Sequence, residues 1–131
     1  METNKLYRIA EKSGISVERY PLEKNTSVSV SFNGNMYVAL DEHITVAQER
    51  VSLAHELGHC ETMSFYNIYS PLDIRAKHEK RADRWAIQKL IPKYAFIRAI
   101  KNGYDNIYSL SEHFCVTPDF MKKVIDYYGT K

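Results

Sequence analysis

Residues 48–61 read QERVSLAHELGHCE, and they set His55, Glu56 and His59 inside a run otherwise suited to a protein interior. Leu53, Ala54, Leu57 and Gly58 interleave with the three polar side chains. Burying two imidazoles and a carboxylate without partners is costly, so a fold that contains this segment as a helix has to give them a shared partner. An α-helix advances 3.6 residues per turn, which stacks His55 and His59 on one face. Two imidazoles at that spacing can reach one zinc ion at Zn–N distances of about 2.0–2.1 Å. Glu56 points about 100° round the helix from His55. It is poorly placed to ligate the same ion, but it can stand over an open coordination position and accept a proton from water there. The competing reading is a solvated helix that carries the same letters by chance, and the apolar flanks disfavour it.

The other segments have to cover that helix. KLYRIAEKSG predicts a short first helix stopped at Gly14. SVERYPLEK follows as a strand or extended stretch. In TSVSVSFNGNMYVAL, Val28, Val30 and Phe32 alternate with serines, Asn33-Gly34 signals a tight hairpin, and Met36 to Leu40 is the return strand. Thr45 with Gln48 forms a capping box for the histidine helix, expected over about residues 46–64 with Glu49 and Arg50 in its exposed early turns. Ser70 as N-cap with Pro71 at the first helical position opens the next helix, which runs to about Leu90 with Ala82, Ala86 and Leu90 as its inner stripe. Pro92 starts or bends a further helix. Two short helices end the chain, one with the capping box Ser109-x-x-Glu112 and one started by Thr117-Pro118. The fold class is therefore α+β: an N-terminal β-hairpin or small antiparallel sheet on a helical core. Residues 1–131 form a single domain, with the metal core at about 15–93 and C-terminal helices at about 94–131.

A catalytic zinc takes three protein ligands and keeps one position open. Glu79 is the best-placed third ligand, 20 residues after His59 on its own helix, so that two packed helices can hold the ion between them. Asp83, four residues on, shares its face and can accept the outer N–H of His55 or His59. Ala82 and Ala86 are small enough for close helix approach. His78, Glu61, His43, His113 and Cys60 are competing ligands, each with poorer helical phase or an exposed setting. For the group that stabilises the oxyanion, Tyr66, Tyr69, His78 and His113 are the candidates, without a ranking.

Composition narrows the function classes. A net charge of +2 spread along the chain gives no electrostatic case for nucleic acid or an anionic membrane. No apolar run reaches the roughly 18 residues needed to span a bilayer. The first residues lack a signal peptide's apolar stretch, and two cysteines do not make a disulfide framework. A cytoplasmic protein is expected. The ten tyrosines suit half-buried surfaces and interfaces. A helix–turn–helix outline near the C-terminus offers Lys122 and Lys123, but Asp119 and Asp126 share that helix, which argues against a DNA reader.

SLAHELGHCE followed by EKRADRWAIQKLIP resembles the ImmA/IrrE-type metallopeptidases of bacteria and their mobile elements, a gluzincin-like group. The resemblance covers roughly residues 15–93, with Trp85-Ala86 where the family has a Phe-Ala pair. It implies one catalytic Zn2+ held by His55, His59 and Glu79, with Glu56 as general base and Asp83 behind the first histidine. It further implies a zinc-dependent endopeptidase that cleaves a specific protein partner, a helix-turn-helix repressor. The alternative is a zinc-containing module that inactivates the repressor by binding it without cleavage. The loops around residues 65–72 and the C-terminal helices are the expected docking region.

Overall fold

Turn and cap residues divide the chain into nine elements in the computed structural model, which describes residues 1–66 and 69–129. They run α1 (Thr3–Lys12), β1 (Ile15–Tyr20), β2 (Ser27–Phe32), β3 (Asn35–Asp41), α2 (Val46–Glu61), α3 (Leu72–Leu90), α4 (Lys93–Lys101), α5 (Ile107–Phe114) and α6 (Pro118–Gly129). The α+β class expected from the sequence is what the chain adopts. Among the described residues no helix is long and apolar enough to cross a membrane.

The hairpin closes through Asn33 (φ 51°) and Gly34 (φ 79°), both in the left-handed region that a two-residue turn of this kind requires. β1 adds to the far side of β3, giving the order β1-β3-β2. That pairing is parallel, from Ile15 opposite Met36 to Tyr20 opposite Asp41. The sheet is therefore mixed. A short link over residues 21–26 reverses the chain from β1 into β2, and β3 then returns between them in the direction of β1.

β2 is an edge strand, and its serines face inward. Ser27 lies opposite Leu40 and Ser29 opposite Val38, and both partners are buried. Cross-strand partners share a face of the sheet. Val28, Val30 and Phe32 therefore point the other way, and Phe32 is 65% exposed. At β2 the outer face is apolar and the inner face is polar.

α2 begins at the predicted capping box, with Thr45 Oγ1 accepting from the Gln48 N–H at 3.1 Å. It ends at Glu61 rather than near Ser64, because Met63 turns left-handed (φ 53°) and the Ser64 N–H bonds back to the His59 carbonyl. Two other caps differ from expectation. Pro71, with ψ 149°, is itself the N-cap of α3, so the helix starts one residue later than the Ser70 cap would place it. α5 is capped by Asn106 with Ser109, not by Ser109 with Glu112, since the Asn106 carboxamide oxygen captures the Ser109 N–H first.

Leu6 and Ala10 from α1, Val38 and Leu40 from β3, Leu53 and Leu57 from α2, Ile87 and Leu90 from α3 and Phe120, Met121 and Val124 from α6 belong to one apolar cluster. Arg50, expected in an exposed early turn, is buried. Its guanidinium donates to the carbonyls of Cys115 (3.0 Å) and Phe114 (3.3 Å), which ties the turn before α6 to the histidine helix.

Candidate metal centre

α2 and α3 lie side by side with Gly58 against Ala82. A Cβ at Gly58 would stand 2.6 Å from the Ala82 carbonyl oxygen and 3.0 Å from its Cα. The absence of that atom lets the two backbones approach until side chains beside it or within one turn of it meet. Those are His55 and His59 on α2 and Glu79 on α3.

The three side chains converge on one point. His55 Nε2 and His59 Nε2 are 3.2 Å apart. Glu79 brings Oε2 to 2.9 Å from His55 Nε2 and Oε1 to 2.9 Å from His59 Nε2. Donors about 2.0–2.1 Å from a tetrahedral ion are separated by about 3.3 Å, so two imidazoles and a carboxylate at these spacings fit one divalent cation. Among the described residues this is the single group of three or more His, Cys, Asp or Glu side chains able to chelate a metal.

The outer nitrogens hold the rings in place. His59 Nδ1 donates to the Ser64 carbonyl at 2.6 Å. His55 Nδ1 donates to Asp83 Oδ1 at 2.8 Å. Each bond commits a proton to Nδ1 and leaves Nε2 as the atom that could ligate a metal. Asp83 also accepts from Lys123 of α6, at 3.2 Å, so the last helix reaches the ring of His55 through one carboxylate.

The electrostatics of the metal-free cluster follow from this crowding. Burial pulls the His55 imidazolium down, but hydrogen bonds from it to Asp83 and Glu79 outweigh that and push its pKa up to about 10. Hydrogen bonds from His55 and His59 hold the Glu79 carboxyl well below its ordinary value. Burial raises Asp83, yet the bond from His55 brings it below the usual carboxylate range. A raised histidine stabilises the fold fully below the ordinary value of 6.5, and that contribution is lost as the pH rises to about 10. A metal ion has to displace the proton on His55 Nε2. Metal binding at pH 7 is therefore expected to release about one proton from His55. Calorimetry in buffers of different ionisation enthalpy measures that number directly. The thermal stabilisation given by zinc should grow between pH 6 and pH 9, and a shift independent of pH would contradict the assignment.

The cluster opens into a cleft of about 420 Å³ lined by Glu56, Tyr66, Phe65 and residues 25–29 along β2. Glu56, 7% exposed, accepts a hydrogen bond from the Ser27 hydroxyl at 2.7 Å. The Tyr66 hydroxyl donates to Glu79 Oε1 at 2.7 Å. That bond, with burial, raises the phenol to about 12 and keeps it protonated. The His78 ring stacks on Tyr66 at 6.3 Å and buries an Nδ1 that has no hydrogen-bond partner. Tyr69 is 88% exposed and does not line this cleft. His113 stacks on Tyr104 at 4.2 Å, on α5. Of the competing ligands, His43 is exposed beside Glu42. Cys60 is buried, with burial pushing its thiol up to about 12. Of the loop at 65–72, residues 67 and 68 lie outside the described residues. The sequence did not single out Ser27 and Ser64, and it offered Lys123 only as a possible DNA contact. Their contacts span the fold or use a backbone carbonyl, and only the alternation of serines with apolar residues in β2 offered a signal.

Residues 10–125 match the family model described as the IrrE N-terminal-like domain of the M78 peptidases, a span that takes in the C-terminal helices as well as the metal core. No curated protein matches the chain.

Proposed function

The chain belongs to the IrrE N-terminal-like domain family of M78 peptidases, and from that premise we propose that it is a zinc-dependent endopeptidase selective for one protein partner, a helix-turn-helix repressor. The convergence of His55, His59 and Glu79 beside Glu56 in one cleft carries the catalytic part of this reading. The family resemblance carries the substrate part, and with it a setting in the cytoplasm.

His55, His59 and Glu79 would hold the ion, and Asp83 would orient His55. When bound, zinc acidifies a water and polarises the scissile carbonyl. Glu56 accepts the proton of the attacking water and passes it to the leaving amine. The Tyr66 hydroxyl, which donates its one proton to Glu79 Oε1 in the metal-free cluster, would turn to the oxyanion as it develops. The open edge of β2 borders the same cleft, so an extended chain can pair along it by backbone hydrogen bonds. The chain would act as one domain, since α6 reaches Asp83 and the preceding turn binds Arg50.

The exposed side chains of Met63, Tyr66, Tyr69 and Leu72 border the α2–α3 connection and offer contact area for a folded partner. Selectivity would come from docking there, with slow turnover of generic unfolded protein. The test incubates the zinc-loaded protein with helix-turn-helix repressors from the same genome and maps cuts by mass spectrometry, with casein in parallel. A discrete cut in the repressor, weakened at least tenfold by Y66F, is expected. Fast digestion of casein beside an intact repressor would replace this reading with a broad peptidase.

A further inference from the structure

Glu56 receives its hydrogen bond from the strand that borders the cleft, not from its own helix. Ser27 Oγ donates to Glu56 Oε2 at 2.7 Å. One residue earlier, Ser52 Oγ donates to Thr26 Oγ1 at 2.9 Å. Ser52 lies one helical turn before Glu56 on α2, so two consecutive hydroxyl contacts pin the start of β2 to the stretch of helix that presents the carboxylate.

The backbone of Ser27 has a different orientation from its neighbours. The two-residue turn makes Phe32 and Asn35 the closing hydrogen-bonded pair, and the alternation carries this to Val30 with Tyr37 and Val28 with Ala39. The Thr26 carbonyl keeps the same phase by accepting from the Asp41 N–H at 2.8 Å. Ser27 and Ser29 therefore turn their backbone N–H and C=O to the open edge. Ser27 thus combines a hydroxyl on the carboxylate with main-chain groups free for an incoming chain.

We propose that Ser27 is a positioning residue for Glu56. Its hydroxyl occupies Oε2 and fixes the rotation of the carboxylate, which leaves Oε1 for the water. Its main chain sets where a bound peptide lies relative to that oxygen. The inference rests on Glu56 being the base. Without the hydroxyl the carboxylate can rotate about its last torsion, and the reacting oxygen is no longer held at one place.

The experiment uses acetohydroxamate, a small chelator whose hydroxyl proton is shared with a carboxylate beside the ion it binds, so that no knowledge of the substrate is needed. Its affinity for the zinc-loaded protein is measured by calorimetry for wild type, S27A, S27T and E56Q, with metal content determined for each. S27A is expected to bind about tenfold more weakly at full metal content, because the lost bond is one to a charged group. S27T, which keeps the hydroxyl, should stay within about twofold of wild type. In repressor cleavage, S27A should lower kcat and leave KM unchanged. Wild-type hydroxamate affinity in S27A, with E56Q clearly weaker, overturns the role of Ser27 alone. Loss of metal from S27A also overturns it, since the residue would then be structural. Wild-type affinity in E56Q removes Glu56 as the base, and this inference with it.

Discussion

Replacing Glu56 with glutamine is expected to lower the rate of peptide hydrolysis by about 10²–10⁴-fold while zinc content and fold are retained. Glutamine has the same shape and keeps a carbonyl oxygen for the Ser27 hydroxyl, which donates to Glu56 at 2.7 Å in the native protein. What it lacks is proton affinity. The cluster able to hold a metal is composed of His55, His59 and Glu79 without Glu56, so the substitution removes the proposed base and leaves the chelating set whole. Single-turnover cleavage with matched metal analysis reads both halves of the expectation. The same variant separates catalysis from capture. If E56Q inactivates the repressor as well as wild type does, hydrolysis is dispensable and the chain works as a zinc-containing binding module.

The second large effect is expected at a residue with no side chain, Gly58. Gly58→Ala adds one methyl group where a Cβ would be 2.6 Å from the Ala82 carbonyl oxygen and 3.0 Å from the Ala82 Cα. Both are backbone atoms of a packed helix, so no side-chain rotation relieves the clash. α3 has to move away from α2. Overpacking of this kind costs about 1–3 kcal/mol, a fall in Tm of roughly 5–10 °C for a chain of this size. Glu79 is three residues before Ala82 on the same helix face, and it is the member of the candidate metal cluster that α3 supplies. Its carboxylate oxygens, at 2.9 Å from the imidazole nitrogens, would be carried outward with the helix. G58A is therefore expected to lose at least tenfold in zinc affinity as well as stability, because the three-donor geometry has narrow limits. Thermal melts with and without zinc, together with a competitive chelator titration, measure the two effects. Wild-type zinc affinity in G58A would show that the helix spacing does not set the site.

These two residues illustrate what the sequence made legible. The pairing of His55 with His59, and the placing of Glu79 with Asp83, depend on helical phase, which is a local property. The approach of the two helices was readable from Ala82 and Ala86, although the atom that admits Ala82 is missing from Gly58. Contacts that cross between elements were not readable. Arg50 looks like an early-turn surface residue until the carbonyls of Phe114 and Cys115 arrive from 64 and 65 residues away. Lys123 reaches Asp83 across 40 residues. The cap of α3 moved because the Pro71 backbone is still extended, and that of α5 because Asn106, an equally good cap, takes the Ser109 N–H and starts the helix earlier. The hairpin was plain in the sequence. Which of its faces turned inward was not, since burial alone would have favoured the valines.

That last point gives the Asn33-Gly34 turn a role in chemistry. Side chains alternate along a strand, so a slip of one residue between β2 and β3 exchanges every inward group for its neighbour. In most half-buried strands the apolar face resists such a slip by its own burial. Here the apolar face is outside, with Phe32 at 65% exposure, and burial exerts little hold on the frame. The left-handed pair Asn33-Gly34, which fixes the loop at two residues, keeps the register instead. In the native frame a hydroxyl meets Glu56, and in the slipped frame an aliphatic side chain would. The reading frame of one hairpin thus decides the polarity of a catalytic cleft, and it is enforced by two residues that never touch it.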